Sequence, residues 1–285
     1  MTHVAGKKVL ITGGASGIGR LLARKLAGLG AEIIVWDINH SALDRVVEEL
    51  RADTGRVHHG YLCDVSERTQ VYDVATRVNA EVGRVDILVN NAGIVSGKRL
   101  LDLPDQQIER TLKVNTLALF WVTKAFLPQM VERNQGHIVN VSSAGGLLGS
   151  AKMSDYSASK FAAFGFDECL RMEMREQAPG VRTTVVCPYY IDTGMFAGVK
   201  TRFGFMLPIL KEEYVAGKIV CAIQKDSPRL FMPRIVYTDF LLRGLLPVRV
   251  FDVVVDILGI NKCMEDFVGR PAEPRGTPHL REVRA

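Results

Sequence analysis

The stretch TGGASGIG, residues 12–19, decides the fold of this 285-residue chain. It follows an apolar run at residues 8–12 and opens an amphipathic stretch at residues 17–29. Glycines in such a turn let the main chain bend tightly and let a pyrophosphate approach the first turn of a helix, where free N–H groups and the helix dipole favour anions. A lone glycine-rich loop is as often a plain turn, so the surrounding sequence must decide between the two interpretations.

An acidic residue supports the cofactor interpretation. Asp37 ends the second apolar run, 18 residues after Gly19, where a carboxylate can accept hydrogen bonds from a ribose diol. The same carboxylate would repel a 2′-phosphate, and Ile38 brings no positive charge to attract one. The sequence therefore predicts NAD, rather than NADP, as the cofactor. Asp64 and Val65, after the third run, are predicted as further cofactor contacts, although Asp64 could equally cap the following helix.

Short apolar runs alternate with amphipathic stretches to about residue 190. The runs are rich in valine and isoleucine, as strands buried on both faces are. We therefore predict one α/β fold, a doubly wound parallel sheet with helices on both faces. Ser41 and Ser66 are expected as N-caps, and Gly30 as the glycine just past the first helix. Strands are predicted at residues 8–12, 32–37, 57–62, 85–90, 137–142 and 182–187, and helices at residues 17–29, 41–51, 66–82, 105–133 and 154–177.

Composition limits the classes of protein that this chain can be. Hydrophobic residues make up 47% and charged residues 24%, as in soluble globular proteins. The net charge of +5 is dispersed, so we predict no nucleic-acid partner. The five cysteines and six histidines lack ligand spacing, which favours buried, reduced thiols and no metal. The N-terminus shows no signal-peptide pattern and no apolar run reaches the roughly 18 residues that span a bilayer, so we expect a cytoplasmic protein.

Tyr156, Lys160 and Ser143 form the candidate catalytic group. Tyr156 and Lys160 are four residues apart and share one face of a predicted helix. A phenol titrates at about 10, and an ammonium group beside it favours the phenolate and lowers that pKa. The Ser143 hydroxyl, 13 residues upstream on a neighbouring loop, could hold a substrate oxygen against the phenol. Since two common residues fall at the Tyr-x-x-x-Lys spacing by chance, the pair needs support from the rest of the chain.

Five motifs supply that support, in a fixed order along the chain. They are the glycine pattern at residues 12–19, the sequence NNAG at residues 90–93, Asn115, Ser143 and the Tyr156–Lys160 pair. Together they resemble the short-chain dehydrogenase/reductase family over residues 7–225. The resemblance implies a Rossmann fold, a nicotinamide cofactor and an oxidoreductase that acts on CH–OH groups.

The resemblance also implies roles for individual residues. Tyr156 would be the catalytic acid and base, Ser143 would orient the substrate oxygen, and Lys160 would bind the nicotinamide ribose and lower the Tyr156 pKa. Asn115 would hold a water of the proton relay, although by itself it is equally a buried amide satisfied by the backbone. Asn90 would help to secure the central sheet and the cofactor. The remaining implied cofactor contacts are Gly13, Ser16, Gly17, Ile18, Gly19, Asn91, Ala92, Gly93, Pro188 and Thr193.

One position departs from the family pattern. The family usually has Pro-Gly after the sixth run, whereas this chain has Pro188 followed by Tyr189 and Tyr190. A side chain therefore stands where main chain and cofactor run close together. Tyr189 could narrow the pocket or stack on the substrate, or its ring could point outward without a role, and both interpretations remain open.

The residues after this position are expected to choose the substrate. The stretches VWDIN at 35–39, KAFLP at 124–128 and DTGMF at 192–196 look closest to the retinol and 17β-hydroxysteroid dehydrogenase branch of the family. Residues 194–210 are expected to form a lid of loop and short helices, rich in phenylalanine and methionine. This predicts a lipophilic substrate such as a retinoid, a steroid or a long-chain alcohol, although the core of a packed lid would look the same.

The end of the chain is predicted as an extension. We place the dehydrogenase domain at residues 1–235, an apolar helical extension at 236–269 and a disordered tail at 270–285. Charged residues of the extension fall on one narrow stripe, which leaves three interpretations: a subunit interface, docking on a membrane or lipid droplet, or the wall of a substrate tunnel. We favour packing within the fold or against a second subunit, and hence a homodimer or homotetramer.

The leading functional hypothesis is an NAD-dependent dehydrogenase of lipid metabolism that interconverts a lipophilic alcohol and its carbonyl. The alternatives are an NADPH-dependent ketoreductase and a catalytically silent dinucleotide-binding protein on a lipid surface. A silent protein would usually lack Tyr156, Lys160 or Ser143, and this chain keeps all three.

Overall fold

The computed structural model describes residues 1–269, and the tail predicted at residues 270–285 lies outside them. The strands are β1 (Lys8–Thr12), β2 (Glu32–Asp37), β3 (His59–Leu62), β4 (Ile87–Asn90), β5 (Gly136–Val141), β6 (Val181–Pro188) and β7 (Arg229–Met232). They form one sheet in the order β3-β2-β1-β4-β5-β6-β7, and all neighbouring strands are parallel.

Helices cover both faces of this sheet. They are α1 (Gly17–Gly28), α2 (His40–Thr54), α3 (Arg68–Glu81), α4 (Asp105–Leu112), α5 (Ala118–Glu132), α6 (Ser154–Gln177), α7 (Glu212–Gln224), α8 (Thr238–Leu245) and α9 (Val248–Ile257). One core, with Leu22 and Ile219, joins α1, α2 and α7 to the sheet. A second core joins α3, α5 and α6 to the other face, where the rings of Trp36 and Phe126 lie 5.7 Å apart. The predicted doubly wound α/β fold is confirmed.

The burial of β2 shows how this sequence specifies that architecture. Its four central residues, IIVW, are fully buried because helices cover both faces of the strand. β1 pairs with β2 on one side and with β4 on the other, so the order of the strands reverses at β1. The connections on the two sides run in opposite directions there and leave a crevice at the carboxyl ends of the strands. The candidate site lies in this crevice.

The predicted elements agree with the structure except at a few places. The six predicted strands match to within two residues, whereas β7 is not predicted, because only the last two of its four residues are buried. The helix predicted at residues 105–133 is two helices, since a π-helical turn at Lys113–Leu117 separates α4 from α5. Gly30 does lie just past α1, with a φ of +91°.

Both predicted serine N-caps are wrong. Asn39 caps α2, and its Oδ1 accepts a hydrogen bond from Ala42 N at 3.1 Å. Ser66 lies before the cap position of α3, and its Oγ donates to Asp64 Oδ1 at 2.6 Å. At both positions a hydrogen bond between a side chain and a residue two or three positions away sets the conformation of the turn before the helix. The sequence does not reveal which of several polar residues makes that bond.

Residues after β6 cover the crevice. Residues 189–211 form turns rather than the short helices expected in the lid, and a bridge between Ile191 and Leu210 joins their ends. The end of the described chain returns against them, where Val268 N donates to Ala197 O at 2.9 Å. The lid, α8 and α9 thereby form one cover over the carboxyl ends of the strands.

None of the helices within residues 1–269 is long and apolar enough to cross a membrane. Over the same range no cluster of three or more His, Cys, Asp or Glu side chains is arranged to hold a metal ion. Cys63, Cys187 and Cys263 are buried, as expected of thiols in this composition, but Cys169 is exposed and Cys221 is half-buried.

Candidate active site

The glycine loop after β1 is packed too tightly for side chains. Gly13 has a φ of +63°, and a Cβ there would lie 2.9 Å from Ala92 Cα. A Cβ on Gly19 would lie 2.2 Å from Gly13 O. Asn91 holds the loop from the other side, since its Nδ2 donates to Thr12 O and Gly13 O, each at 3.0 Å. The loop thus keeps bare main chain beside the first turn of α1, which fits a pyrophosphate.

Asp37 stands at the end of β2, next to this loop. Its Oδ2 accepts from Ala15 N and its Oδ1 from Asn39 N, each at 3.0 Å. These two bonds fix the carboxylate and leave each oxygen able to accept another hydrogen bond. The next residue, Ile38, is uncharged, so no cation stands at the position next to the acid. The carboxylate thus offers hydrogen-bond acceptors that fit a ribose diol.

Asp64 does not cap the following helix, the alternative role that the sequence leaves open, because Glu67 holds the cap position of α3. Asp64 closes the turn before that position. Its Oδ1 accepts from Ser66 N at 2.9 Å and from the Ser66 hydroxyl. Asp64 and Val65 nevertheless line the same cleft as the glycine loop. The turn contact leaves Asp64 on the cleft wall, and its contact with a cofactor stays a prediction.

The cleft has a volume of about 270 Å³ and collects nearly all the predicted cofactor residues. Gly19 is the exception, since it packs beneath Gly13 and is too tightly enclosed to line the cleft. Arg110 and Met195 also line it and were not predicted, because α4 and the lid reach the cleft only through the tertiary fold. The predicted residues on the cleft wall are Gly13, Ser16, Gly17, Ile18, Asp37, Asp64, Val65, Asn91, Ala92, Gly93, Ser143, Tyr156, Lys160, Pro188, Tyr189 and Thr193.

Tyr156 and Lys160 lie side by side on α6 at the inner end of this cleft. Their exposed fractions are 5% and 4%, and Lys160 Nζ is 5.8 Å from the centroid of the Tyr156 ring. Lys160 Nζ donates to Val141 O at 2.8 Å, at the end of β5. Ser143 follows two residues later, and its Oγ accepts from Gly145 N at 3.0 Å. The carboxyl end of β5 therefore brings the serine to the tyrosine and lysine.

Burial controls the titration of this pair. It raises the pKa of Tyr156 to about 12, against which a hydrogen bond with Ser143 acts to lower it. Burial also lowers the pKa of Lys160 to about 8. The lowering of the Tyr156 pKa by Lys160 that the resemblance implies stays a prediction, since here the ammonium group of Lys160 donates to Val141 O.

Asn115 lies in the π-helical turn between α4 and α5. Its Oδ1 accepts from Ile94 N at 2.9 Å, and its Nδ2 donates to Ile94 O at 2.9 Å and to Ser159 Oγ at 3.0 Å. The side chain is thus the buried amide, satisfied largely by backbone, that the sequence leaves as an alternative. It also ties the loop after β4 to α6, and a water bound here would find both amide hydrogens already used.

A chain of buried polar side chains lies beneath the catalytic group. Asn90 Nδ2 donates to Asn140 Oδ1 at 2.9 Å, and Asn140 Nδ2 donates to Asp167 Oδ1 at 2.8 Å. Asp167 Oδ2 accepts from Thr183 Oγ1 at 3.3 Å. Burial raises the pKa of Asp167 to about 6. The network joins β4, β5, β6 and α6, so Asn90 acts on the sheet, while it does not line the cleft itself.

An apolar cavity of about 270 Å³ adjoins the cleft. Ser143, Tyr189 and Phe196 line both spaces, so the two meet beside the catalytic group. The Phe196 ring packs edge-on against Tyr156 with centroids 5.8 Å apart. The Tyr189 ring packs on Tyr190 at 4.7 Å and is not turned outward. Tyr189 lines both the cleft and the cavity.

The extension supplies one wall of this cavity. Leu242 on α8 and Phe251, Val254 and Val255 on α9 line it, whereas Val253 faces away and is 56% exposed. Of the three interpretations of the extension, the wall of a substrate tunnel is compatible with its inner face, because that face lines this cavity. The spacing of residues 251, 254, 255 and 258, in and directly after α9, is the pattern that could have identified this face.

Comparison with known proteins places the chain in a family. A family model described as short chain dehydrogenase matches residues 7–202. The chain is 46% identical to epidermal retinol dehydrogenase 2 of Mus musculus over 270 residues, which cover 94% of this chain and 87% of that protein. It is 42% identical to retinol dehydrogenase 10 of Rattus norvegicus over 294 residues, covering 94% and 86%.

Solved structures show the same fold with either cofactor. A short-chain dehydrogenase/reductase from Burkholderia phymatum in complex with NAD matches with a TM-score of 0.76 at 27% identity, covering 96% of this chain and 99% of that one. A metagenomic short-chain oxidoreductase in complex with NADP matches with a TM-score of 0.68 at 28% identity, covering 81% and 98%. The chain therefore belongs to the short-chain dehydrogenase/reductase family, NAD(P)-dependent oxidoreductases that act on CH–OH groups.

Proposed function

We propose that this protein is an NAD-dependent dehydrogenase that interconverts a lipophilic alcohol and its carbonyl. The observation that carries the proposal is the junction of two spaces at Ser143, Tyr189 and Phe196. On one side lies a cleft whose polar groups fit a dinucleotide, and on the other an apolar cavity. A hydrocarbon substrate in the cavity would present its alcohol carbon at the junction, beside Tyr156.

The chemistry of the cavity wall supports a lipophilic substrate. Leu147, Met206, Leu207 and Val255 are among its lining residues, and they offer hydrocarbon rather than hydrogen-bonding surface. Burial of apolar area is the main source of affinity in such a space. Two relatives of this chain are named as retinol dehydrogenases, which supports a retinoid within the broader class of retinoid, steroid or long-chain alcohols.

Asp37 supports NAD over NADP. Its carboxylate is fixed by Ala15 N and Asn39 N, so it cannot easily turn away from a ligand bound at the glycine loop. Ribose hydroxyls can donate to it, whereas a 2′-phosphate would place like charges together. Because the related structures contain either cofactor, this local chemistry carries the choice.

The proposed mechanism assigns one task to each catalytic side chain. A nicotinamide cofactor bound in the cleft would supply the hydride chemistry. Ser143 Oγ and Tyr156 Oη hold the substrate oxygen; the Tyr156 phenolate takes the hydroxyl proton during oxidation, and the resulting phenol returns it during reduction. Lys160 would bind the nicotinamide ribose and favour the phenolate once its ammonium group is turned from Val141 O. A water of the proton relay next to Lys160 would bind to an oxygen of Asn115, since both amide hydrogens of that side chain are already used.

Cofactor reduction with a panel of alcohols tests this function. The purified protein, mixed with retinol, a hydroxysteroid or dodecanol, should reduce NAD at least tenfold faster than NADP, and ethanol should be a poor substrate. Faster reduction of NADP with every alcohol would favour the NADPH-dependent ketoreductase. No reaction in either direction with any lipophilic alcohol or ketone would favour the catalytically silent protein.

We also propose that the outer side of the extension docks on a lipid surface. Leu241, Leu245, Val248, Val253 and Ile257 are 56–75% exposed there, while the inner side encloses the cavity. A lipophilic substrate dissolved in a membrane or lipid droplet would then enter close to its binding space. Flotation with phosphatidylcholine vesicles tests whether the protein binds a lipid surface, and the expected result is protein in the vesicle fraction.

The homodimer or homotetramer expected from the sequence is the competing occupant of the same surface. Mass measured by light scattering, with and without vesicles, separates the two. A stable dimer that does not float would assign these apolar residues to a subunit interface, whereas a monomer that floats would assign them to lipid.

A further inference from the structure

Asp239 is the one acid on the wall of the apolar cavity among the residues that the structure describes. It lies in the first turn of α8, and its side chain is 11% exposed. Oδ2 is 3.5 Å from Nε of Arg243. Oδ1 is buried, and within the described part of the chain it has no hydrogen-bond partner. One oxygen of this carboxylate is therefore paired with Arg243, and the other can still accept a hydrogen bond.

A buried carboxylate oxygen without a donor is unfavourable, and native proteins contain few of them. Burial raises the pKa of Asp239, while Arg243 acts to lower it. The cavity beside it is otherwise lined by hydrocarbon, such as Leu242 and Val255. Because Oδ1 itself is buried, a turn of the carboxylate toward the cavity would let a hydrogen-bond donor on a bound molecule satisfy this oxygen.

Arg243 decides which kind of donor fits. Its guanidinium lies over the rings of Phe161 and Phe251, 5.6 Å and 5.7 Å from their centroids. The positive charge is thus held in place next to Asp239. A cationic ligand would meet this charge at short range, whereas a neutral hydroxyl would not.

We infer that Asp239 is a specificity-determining residue that accepts a hydrogen bond from a second hydroxyl group on the lipophilic substrate. Ser143 lines the same cavity, so one molecule can present its reacting hydroxyl to Ser143 and Tyr156 and another hydroxyl to Asp239. The preferred substrates are therefore lipophilic diols rather than simple lipophilic alcohols. The inference rests on the proposed function in that both place the substrate in this cavity.

Binding of matched pairs of compounds tests the inference. Calorimetry on the full-length protein with NADH, where alcohols are not oxidised, would compare androstanediol with androstanol lacking the second hydroxyl, and dodecanediol with dodecanol. In at least one pair the diol should bind roughly 10- to 100-fold more tightly, the factor expected for one hydrogen bond to an ionised group. Asp239→Leu should reduce this preference to about one.

Two further variants serve as a replacement and as a control in this comparison. Asp239→Ala replaces the leucine variant if the latter does not fold, and should lose the preference equally. Asp252→Asn changes an exposed acid on α9 and should keep it. A wild-type preference near one in both pairs, the absence of diol binding, or an unchanged preference in the Asp239 variants would overturn the inference. Turnover of the simple alcohols with NAD is measured separately. If the protein does not turn over these alcohols but still prefers diols in binding, the proposed function is wrong and the inference about Asp239 stands.

Discussion

The cofactor cleft and the apolar cavity meet at Ser143 but are built in opposite ways. The cleft is made by loops at the carboxyl ends of parallel strands, and hydrogen bonds such as those of Asn91 and Asp37 fix its polar groups. The cavity is made by side chains from α8, α9 and the lid, and among residues 1–269 one oxygen of Asp239 has no hydrogen-bond partner. Under the proposed function, the cleft holds its polar groups ready for a cofactor that stays the same, whereas the cavity has a polar group that only some substrates would satisfy.

The largest expected effect is at the junction of the two regions. Tyr156→Phe removes the proposed acid and base but keeps the ring that packs on Phe196. We expect turnover to fall by about a thousandfold, within the range that proton transfer contributes in enzymes. Tyr214→Phe, on the exposed side of α7, is the control and should leave turnover unchanged. Undiminished turnover of Tyr156→Phe, measured by NADH absorbance, would remove this residue from the mechanism.

The sheet beneath the cleft should give the protein its acid sensitivity. His137 on β5 is 1% exposed, and burial lowers its pKa from 6.5 to about 4. The unfolded chain therefore binds a proton between these values that the folded protein does not, and stability is lost as the pH falls from 6.5 to about 4. The difference corresponds to about 3 kcal/mol in the free energy of unfolding.

His137→Gln should remove this part of the acid sensitivity. Urea unfolding at pH 7 and pH 4 measures the change, and Thr184 Oγ1, 2.8 Å from the imidazole, can still bond a glutamine amide. His40→Gln, at an exposed position, is the control and should behave as the wild type. Equal losses of stability between pH 7 and pH 4 in all three proteins would mean that protonation of His137 does not cause the acid sensitivity.

Asp37→Ala separates the chemistry of the cleft from that of the cavity. Loss of the carboxylate should lower kcat/KM with NAD and raise it with NADP, so that the preference changes by about a hundredfold. The relative rates with different alcohols should stay as they are, because Asp37 does not line the cavity. Asp53→Ala on α2 is the matched control. If the cofactor preference of Asp37→Ala stays at the wild-type value, other groups select NAD.

Adjacent residues of α9 test the cavity wall with the smallest expected effect. Val254 lines the cavity and Val253 is exposed on the opposite side. Val254→Asp should lower kcat/KM for a lipophilic alcohol about tenfold through the cost of a charge in an apolar space, with less effect on a short alcohol. Val253→Asp should keep turnover in solution and reduce binding to vesicles. Equal kinetic effects of the two variants would mean that α9 does not select the substrate.

The predictions agree with the structure where a feature depends on a local pattern of residue types, and fail where it depends on which side chain makes a particular contact. Burial of β2 on both faces is visible in its run of apolar residues, because the pattern is local. The caps are less predictable, since either Asn39 or Ser41 could cap α2. It is Asn39 that does so, by accepting a hydrogen bond from the backbone N–H of Ala42, three positions along the chain. The π-helical turn that places Asn115 has no marker in residue type, so one helix was predicted where two exist.

The reaction class was determined by the sequence itself. The glycine loop and the Tyr156–Lys160 pair each depend on a short spacing within one turn or helix, and Asp37 is recognised by its place at the end of the next strand. Such local patterns keep their geometry in the folded protein. Tertiary structure alone decided the cavity, the inward position of Tyr189 and the Asp239 oxygen that has no hydrogen-bond partner within residues 1–269. These features combine side chains from segments far apart in the chain, so their chemistry exists only after the lid and the extension have packed over the sheet.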